Sequence, residues 1–380
     1  MNFEEHAAKP LLARHGITVP ASRLATTPDE AEAAAREIGK CVVKAQVPTG
    51  KRGKAGGIKL AATPAEARAH AGAILGMEIG GWPVHRVLVE AQTSIARELY
   101  ASILNDSASK GPMLLFSAMG GMDVEEVAEK DPHAMRRVNI AIATGLTEEQ
   151  ARGAIEGLGL DAVADELVRV LLDLYRAYRD LDAELIEINP LVVTSDNRVI
   201  ALDCKLTIDD GAVPRQAEIA ATAAPEKYTR LEAEAAAAGL KYIELDGSVG
   251  ILANGAGLTM TTMDVVAHFG GRPANFLEIG GEAYTKAKTA LSIVLANPNV
   301  KSILVNFCGA FARTDVMAEG VINAWQELSP DVPIFFTIHG TGEDQAVALV
   351  RERLGIEPYD LMDDAVKAAV AAAANHEVRT

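Results

Sequence analysis

Polar side chains at alternating positions of two neighbouring segments carry the strongest chemical signal in this sequence. Glu187 and Asn189 lie in a stretch rich in Ile, Leu and Val, and Asp203 follows turn-forming residues at 195–198. Successive strand residues point to opposite faces, so a β-hairpin turning there places Asn189 opposite Asp203, with Glu187 on the same face. Amide and carboxylate oxygens suit Mg²⁺, which completes its coordination with water and phosphate oxygens. The pattern predicts a magnesium site, although a polar edge hairpin facing water fits this fragment equally well.

A lysine on a predicted strand precedes a basic, glycine-rich loop. Lys44 lies in the segment 41–47, and residues 49–57 read Thr-Gly-Lys-Arg-Gly-Lys-Ala-Gly-Gly. Glycines let backbone N–H groups approach phosphate oxygens, while Lys44 and Arg52 supply positive charge. The pattern is typical of a loop that covers phosphates. It does not match the Walker pattern, and solvated hairpin loops have a similar composition.

An acidic strand end follows about forty residues later. The segment 87–90 reads Val-Leu-Val-Glu and leads through Thr93 to Glu98. Backbone and acidic groups at such a strand end can hydrogen-bond a purine edge and a ribose, but a surface strand has the same pattern. The order along the chain is strand lysine, glycine loop, acidic strand end and metal hairpin, and this order favours a nucleoside-triphosphate site.

The composition is that of a conventional globular protein. With 380 residues, 49% hydrophobic and 23% charged, the chain exceeds one core, so two or three domains are expected. A net charge of −16 argues against general nucleic-acid or acidic-membrane binding. The three cysteines, Cys41, Cys204 and Cys308, lack metal-ligand spacing and are expected to be core residues in a reducing compartment. The sequence has no leader pattern and no apolar span, so we expect a cytoplasmic protein beginning at Met1.

The two halves of the chain predict different architectures, separated by an Ala- and Glu-rich segment at 217–240. Before it, helices and strands of mixed order indicate an α+β fold. The expected helices are 4–15 and 27–38, and the expected strands are 41–47, 58–60, 86–90, 98–104 and 113–117. After it, strands at 249–253, 274–277, 302–306 and 334–338 alternate with helices, which predicts a flavodoxin-like, doubly wound parallel sheet and an α/β class overall.

Glycine-bearing loops follow each strand of the second half. They are 254–257, 278–281, 308–310 and 339–342. The carboxyl ends of parallel strands meet at one edge of a sheet, where ligands bind in this architecture. Alternatively, the glycines only allow tight turns between strand and helix. This explanation fits each loop taken alone, but it explains less well why all four loops lie at the same edge of the sheet. A helix N-terminus after Gly255 also attracts anionic groups.

The order of strand lysine, glycine loop, acidic strand end and metal hairpin resembles the β subunit of succinate–CoA ligase, and the resemblance runs along the whole chain. Three further motifs carry it: Gly120-Gly121-Met122-Asp123-Val124-Glu125-Glu126-Val127-Ala128-Glu129, Glu187-Ile188-Asn189-Pro190-Leu191 and Asn254-Gly255-Ala256-Gly257-Leu258. The resemblance implies a nucleotide-binding ATP-grasp domain of two subdomains at 1–235 and a flavodoxin-like CoA-ligase domain at 240–380. It implies that ATP or GTP, with Mg²⁺, phosphorylates a histidine of a separate α subunit that also carries most of the CoA site. A small dicarboxylate and CoA then yield the thioester.

The resemblance also implies roles for individual residues. The implied nucleotide-binding residues are Lys44, Lys51, Arg52, Gly53, Glu90, Thr93 and Glu98. The implied Mg²⁺ ligands are Asn189 and Asp203, and the implied catalytic carboxylate, facing the partner's histidine, is Glu187. The implied acid-binding residues are Asn254, Ala310, Phe311 and Ala312. None of the eight histidines lies in the partner's phosphohistidine motif, and we expect His339 to be an ordinary loop histidine.

Three departures from the family pattern concern the loops. Lys51 stands where glycine is usual, Ala310-Phe311-Ala312 where Gly-Ile-Val is usual, and His339-Gly340-Thr341-Gly342 where Glu-Gly-Thr-Asn is usual. The last two fall on the acid-selecting side, so we hypothesise a conventional nucleotide site with altered acid specificity. Malate–CoA ligase, another dicarboxylate–CoA ligase and a non-catalytic nucleotide-binding subunit stay as alternatives. An ATP-grasp amine ligase acting alone is disfavoured, because the second half resembles a CoA-ligase domain.

Overall fold

Residues 1–121, 134–279 and 283–377 are described by the computed structural model of the protein. Contacts divide the chain into two units, Met1–Glu226 and Lys227–Thr380, and the division falls inside the Ala- and Glu-rich segment. Residues 122–129 of the quoted family motif, and the glycines at 280 and 281, lie outside the described residues. The predicted domain ranges 1–235 and 240–380 stay a prediction.

The first unit combines helices with antiparallel strands. Its described strands are β1 (Asn2–Phe3), β2 (Ser22–Ala25), β3 (Cys41–Ala45), β4 (Ile58–Ala61), β5 (Glu78–Ile79), β6 (Trp82–Pro83), β7 (Val87–Ala91), β8 (Ile95–Asp106), β9 (Gly111–Ser117), β10 (Met135–Asn139), β11 (Ala183–Thr194), β12 (Val199–Ala201) and β13 (Lys205–Ile208). Its described helices are α1 (Glu5–Arg14), α2 (Pro28–Ile38), α3 (Pro64–Ile74), α4 (Glu148–Ile155), α5 (Ala164–Asp180) and α6 (Ala217–Ala220).

Two sheets organise this unit. The larger has the order β1-β13-β11-β8-β9-β10, with β12 paired to β11, and the smaller has the order β2-β7-β3-β4. Helix α5 packs on the larger sheet because Leu167, Leu171 and Leu174 recur on one helical face and are fully buried. Helices α2 and α3 cover the smaller sheet, which has a hydrophobic core of its own. The α+β prediction for this half is confirmed.

Local sequence signals fix the ends of helix α2 as predicted. Thr27 is the N-cap, and its hydroxyl accepts a hydrogen bond from the Glu30 N–H at 3.2 Å. Pro28 occupies the first helical turn, where its missing N–H costs nothing. Gly39 ends the helix at a φ of 85°, in the left-handed region that glycine tolerates.

The predicted hairpin is confirmed. Strands β11 and β12 pair antiparallel with Leu191 opposite Ala201. Four residues earlier in β11, Glu187 lies opposite Lys205 of β13. Both pairings share one register, which sets Asn189 opposite Asp203 between them. Ile186 and Ile188, on the other face, are fully buried, and each such burial contributes about 1.5–3 kcal/mol. This burial holds the register, since a slip of one residue would expose both side chains.

The second unit is built on one largely parallel sheet with the order β14-β16-β15-β17-β18. Its described strands are β14 (Lys241–Glu244), β15 (Val249–Ala253), β16 (Asn275–Glu278), β17 (Ser302–Gly309) and β18 (Ile334–Gly340). Its described helices are α7 (Arg230–Ala237), α8 (Ala256–His268), α9 (Ala283–Ala296), α10 (Thr314–Leu328), α11 (Glu343–Leu354) and α12 (Met362–Glu377).

Helices cover both faces of this sheet, as predicted. Leu252, Val305 and Phe336 point to one core, whereas Ile251 and Leu304 point to the other. Strands buried on both faces need continuous apolar runs, which is why β15 and β17 are strongly hydrophobic. The doubly wound prediction is therefore confirmed.

The sequence analysis missed the edge strand β14, which pairs antiparallel with β16. It was also wrong about Cys308, which is exposed because it lies near the carboxyl end of β17, whereas Cys41 and Cys204 are buried as predicted. Among the described residues, no helix has the length and apolar character needed to cross a membrane.

Candidate functional site

Six charged side chains form a buried group in the first unit, which we call the charged cluster. Its members are Glu5, Lys9, Lys44, Arg52, Glu90 and Asp203. They come from α1, β3, the loop that follows β3, β7 and the residues just after β12. Five of the six are buried and Asp203 is half-buried, so charges of opposite sign must compensate one another locally.

Lys44 lies at the centre of the charged cluster. Its Nζ donates to Glu5 Oε1 at 2.9 Å, to Glu90 Oε1 at 2.7 Å and to the Leu202 carbonyl oxygen at 2.6 Å. Burial lowers the pKa of a lysine, but the charges of Glu5, Glu90 and Asp203 outweigh it and raise the pKa of Lys44. Its stabilising contribution is therefore complete below the ordinary lysine pKa and is lost only as pH rises through the raised value.

Arg52 connects the glycine loop to the hairpin. Its Nη2 donates to both carboxylate oxygens of Asp203, each at 2.7 Å, and its Nη1 donates to the Ala45 carbonyl oxygen at 2.9 Å. The same Nη1 lies 2.8 Å from Glu5 Oε2. The structure thus brings the predicted phosphate residue Arg52 into direct contact with the predicted metal ligand Asp203.

Glu5 is ionised in this setting. Burial raises the pKa of a glutamate, but the charges of Lys44, Arg52 and Lys9 outweigh it, so the pKa of Glu5 lies below its ordinary value. The stabilisation from this carboxylate is complete above the ordinary glutamate pKa and is lost as pH falls through the lowered value.

The predicted base and ribose residues are divided between two places. Glu90 is 2% exposed and pairs with Lys9 and Lys44, so it belongs to the charged cluster. Thr93 lines a separate cavity of about 320 Å³, whose wall includes Pro20. Glu98 is exposed on β8. The structure therefore places Glu90 beside Lys9 and Lys44, and not at an exposed strand end as expected from the sequence.

Asn189, Glu98 and Gly121 meet beside the hairpin. The Gly121 N–H donates to Asn189 Oδ1 at 2.8 Å, and Gly121 has a φ of 71°. This backbone conformation favours glycine, and a Cβ here would lie 2.3 Å from Glu98 Oε2, so another residue would also have to displace the Glu98 carboxylate. The register of β11 against β8 shifts between Ile188 and Leu191, and such bulges redirect side chains at functional sites.

Glu187 lies on the same face and is held by a tyrosine. Tyr100 donates from its hydroxyl to Glu187 Oε2 at 3.0 Å and also lies 3.0 Å from Ser102 Oγ. Tyr100 is 3% exposed and lies on the same face of β8 as Ser102, so a buried hydroxyl orients the half-buried carboxylate. A carboxylate held in this way can orient an imidazole and favour one of its tautomers.

The donor atoms suit a magnesium ion that takes other ligands from a substrate. Within the described residues, no group of three or more His, Cys, Asp or Glu side chains could hold a metal. The predicted ligands, the Asn189 amide oxygen and the Asp203 carboxylate, are oxygen donors of the type that Mg²⁺ uses beside phosphate oxygens. Asp203 already accepts a cation, the Arg52 guanidinium, on both oxygens.

The glycine loop places the remaining predicted phosphate residues at the surface. Gly53 and Lys51 are exposed, and Lys51 has a φ of 63°. The departure from glycine at Lys51 therefore falls where a side chain is disfavoured by about 1–2 kcal/mol. Gly57 closes the loop, and a Cβ there would lie 2.6 Å from Ile79 Cδ1.

In the second unit, Asn254 ties two strand ends together. Its Nδ2 donates to the Cys308 carbonyl oxygen, and its Oδ1 accepts from the Cys308 N–H, both at 2.8 Å. Strands β15 and β17 are neighbours, and the strand order reverses between them. Ligands of doubly wound sheets bind at such a reversal, beyond the carboxyl ends of the strands. The predicted acid-binding residue thus lies at the expected place but has its side-chain amide engaged.

The loops after β17 and β18 lie against each other. The Thr341 N–H donates to the Gly309 carbonyl oxygen at 3.0 Å, and Thr341 Oγ1 donates to the Ala310 carbonyl oxygen at the same distance. A Cβ at Gly340 would lie 2.1 Å from the Gly309 oxygen. Phe311, at the tip of the first loop, is fully exposed. The three predicted residues 310–312 therefore stand on a closely packed base.

His339 fits the expected ordinary histidine. One ring nitrogen lies 2.7 Å from the Asp360 carbonyl oxygen, and the other lies 3.5 Å from Glu343 Oε1. Both nitrogens therefore have partners in the second unit.

We expect Asn254→Ala to weaken the acid site without altering the nucleotide site. The change removes two hydrogen bonds to the Cys308 backbone, at a cost of about 1–3 kcal/mol in the free energy of unfolding. Denaturant unfolding of the chain and the KM for the acid, measured beside the KM for the nucleotide, check this. Exposed Asn299→Ala is the control, and an unaltered acid KM in Asn254→Ala contradicts the assignment.

Sequence reasoning missed Glu5, Lys9 and Tyr100. Glu5 and Lys9 are four residues apart on α1, which normally indicates a solvent-exposed ion pair. The sequence did contain one indication that Glu5 and Lys9 are buried. They share a helical face with the apolar residues Ala8 and Leu12, which are fully buried.

Comparison with curated proteins finds relatives along nearly the whole chain. The GDP-forming succinate–CoA ligase subunit beta of Thermus thermophilus is 44% identical over 373 residues, which cover 98% of this chain and 98% of the relative. The ADP-forming succinate–CoA ligase subunit beta of Rubrobacter xylanophilus is 44% identical over 375 residues, which cover 97% and 98%. The ADP-forming subunit beta of Chloroflexus aurantiacus (strain ATCC 29366 / DSM 635 / J-10-fl) is 45% identical over 376 residues, which cover 98% and 99%.

The fold has a counterpart among solved structures. ATP citrate lyase from Methanothrix soehngenii, in complex with citrate and coenzyme A, has a TM-score of 0.76 at 22% identity and covers 97% of this chain and 99% of that chain. At this identity the likeness concerns the fold alone.

Two family models match the chain in the predicted order. The ATP-grasp domain matches residues 2–193, and the CoA-ligase domain matches residues 252–373. Together with the relatives, these matches confirm the resemblance found in the sequence. The chain belongs to the succinate–CoA ligase β-subunit family, with an ATP-grasp domain followed by a CoA-ligase domain.

Proposed function

We propose that this chain is the β subunit of an ADP-forming succinate–CoA ligase. The observation that carries the proposal is that Lys44, Arg52 and Asp203 belong to one charged cluster, in which Lys44 and Arg52 share Glu5 and Arg52 also pairs with Asp203. Lys44 and Arg52 are cations suited to binding phosphate, and Asp203 is a carboxylate suited to binding a metal. The relatives of the chain are named succinate–CoA ligase subunits beta. Because relatives of both nucleotide classes are similar, the choice of ATP over GTP is part of the proposal.

In the proposed reaction, Lys44, Arg52, Lys51 and Gly53 hold the nucleotide phosphates, and Thr93 and Glu98 contact the base and ribose. Glu90 takes part by holding Lys44. The bond from the γ-phosphorus to its bridging oxygen breaks, and a bond from phosphorus to a histidine nitrogen of the partner forms. Phosphoryl transfer of this kind depends mainly on positioning and on neutralising charge. Asn189 and Asp203 would hold Mg²⁺, which supplies charge neutralisation at the phosphates when bound.

Glu187 is the proposed catalytic carboxylate of this step. Its Oε2 is fixed by Tyr100, so it can accept the N–H of an incoming imidazole and direct the other nitrogen toward the phosphoryl group. The phosphohistidine and most of the CoA site belong to a separate α subunit in this proposal. A cytoplasmic location is also part of it.

Asn254, Ala310, Phe311 and Ala312 are the proposed contacts for the dicarboxylate. Support comes from their position where the strand order of the second unit reverses, and from the closely packed base under the loop. The first turn of α8, which follows Gly255, adds backbone N–H groups that have no partner within the helix, and such groups attract a carboxylate or phosphoryl group.

Label transfer tests the proposal. The chain is purified with an α-like partner bearing the histidine and incubated with Mg²⁺ and γ-labelled ATP or GTP. We expect acid-labile label on the partner, more from ATP than from GTP, and discharge of that label by succinate with CoA. Nucleotide binding without any partner-dependent turnover would instead indicate a non-catalytic subunit.

We expect Phe311→Ile to raise the preference for succinate over larger dicarboxylates such as malate by about tenfold, since one additional methylene or hydroxyl group on a substrate is worth about that much in discrimination. The change restores the family's usual aliphatic residue at a fully exposed loop tip. The ratio of kcat/KM values for the two acids measures it. Exposed Ile243→Ala, on the edge strand β14, is the control. An unchanged ratio removes Phe311 from acid selection, and wild-type preference for succinate removes the hypothesis of altered specificity.

A further inference from the structure

Glu5 is the member of the charged cluster that contacts every cation in it. Its Oε1 accepts from Lys44 Nζ at 2.9 Å and from Lys9 Nζ at 3.3 Å, and its Oε2 lies 2.8 Å from Arg52 Nη1. Of the other carboxylates, Glu90 pairs with the two lysines, and Asp203 pairs with Arg52, in the contacts that the described residues provide. Removing Glu5 would therefore leave each cation with fewer partners.

Glu5 also joins two hydrophobic cores of the first unit. Helix α1 is anchored in the core of the larger sheet through Ala8 and Leu12, both fully buried. Lys44 lies between Val43 and Ala45, which belong to the core of the smaller sheet. The carboxylate thus reaches from a packed helix to a cation on a different sheet, and it fixes the position of that cation relative to the hairpin.

The charges in the cluster balance. Lys9, Lys44 and Arg52 provide three positive charges, and the three carboxylates provide three negative ones. Two cations that must both meet one phosphate chain repel each other in a buried site, and a carboxylate between them reduces that cost. Side chains locked by neighbouring groups hold a binding geometry better than side chains that must find it.

We propose that Glu5 is a positioning residue for the nucleotide, which holds Lys44 and Arg52 in place without itself touching the phosphates. This inference rests on the proposed function. In the contacts that the described residues make, the Glu5 carboxylate meets only cations, and Glu5 belongs to α1 whereas Lys44 and Arg52 lie on β3 and just after it, so its effect on the nucleotide acts through Lys44 and Arg52.

Steady-state kinetics of the complete two-subunit enzyme test this with Glu5→Gln, Glu5→Asp and the control Glu4→Gln. Glu4 is the adjacent buried carboxylate, and it pairs with Arg86 at 3.0 Å and with His6 at 3.3 Å, outside the charged cluster. We expect Glu5→Gln to raise the KM for the Mg²⁺–nucleotide by about 10–100-fold, while the KM values for the acid and for CoA change less than about twofold. Glu5→Asp, which keeps the charge with a shorter reach, should give an intermediate nucleotide KM.

Four outcomes overturn the inference. One is a folded Glu5→Gln enzyme with an unaltered nucleotide KM, and another is an equal effect of Glu4→Gln. If Glu5→Gln fails to fold, circular dichroism and the melting temperature reveal it, and Glu5→Asp decides: an unchanged nucleotide KM in that variant overturns the inference, and a selective rise supports it. A wild-type complex that neither binds nor uses Mg²⁺–ATP or Mg²⁺–GTP overturns the proposed function and this inference together, whereas wild-type use with normal Glu5 variants overturns the inference alone.

Discussion

Replacing Asp203 with alanine is expected to lower phosphorylation of the partner subunit by roughly 10³-fold, with the fold retained. Asp203 is a proposed magnesium ligand, and it also accepts Arg52 Nη2 on both carboxylate oxygens at 2.7 Å. The variant therefore loses a proposed ligand for the metal and a contact that holds the Arg52 guanidinium, which is a proposed phosphate contact. The initial rate of label transfer from γ-labelled nucleotide measures the loss, and circular dichroism measures the fold.

Asp165→Ala is the control, because Asp165 is an exposed aspartate of the first unit, on α5, and pairs with exposed Arg152 among the ion pairs of the described residues. Its rate should stay within about twofold of wild type, as for most surface substitutions. Full label transfer by a folded Asp203→Ala chain would remove Asp203 from the site. A loss of folding in this variant would assign it a structural role instead.

Lys44→Met is expected to produce the second large effect, on nucleotide binding and on stability. The change removes one of the two lysines that Glu5 and Glu90 share, and breaking a buried ion pair on one side costs about 3–5 kcal/mol. Nucleotide affinity should fall at least about 100-fold, because the lysine is a proposed phosphate contact. Urea unfolding gives the first quantity, and calorimetry with Mg²⁺–ATP gives the second.

Lys59→Met, on the neighbouring strand β4, controls for the loss of a lysine in the same sheet. It should change neither quantity appreciably. A destabilised Lys44→Met chain that binds nucleotide as tightly as wild type would assign Lys44 a purely structural role.

Sequence patterns predicted the second unit well, since its strands and helices alternate in strongly apolar segments. Strand β15 has the predicted bounds. The edge strand β14 was missed because only four residues form it and Ile243 faces solvent, so no apolar run marks it. In the first unit, helices α4 and α5 were not assigned at all, although the apolar period of α5 is clear in retrospect.

Some residues of the candidate site could be predicted from the local sequence, whereas others depend on tertiary contacts. The hairpin around Asn189 and Asp203 was predictable, because period-two alternation and a short turn fix it locally. The positions of Glu5 and Glu90 were not, because their burial depends on strands far along the chain meeting around Lys44. A lone sequence indicates that a residue is charged, but only tertiary contacts determine which opposite charge it meets.

The contact between Gly309 and Gly340 has a consequence for how the proposed acid site can evolve. A Cβ on Gly340 would clash with backbone, whereas Phe311 extends into open solvent. Laboratory selection for new organic acids should therefore accumulate mutations at the loop tip and tolerate none at either glycine. The architecture thus separates an adaptable recognition tip from an immutable base, which makes this loop the natural place to redirect the chemistry.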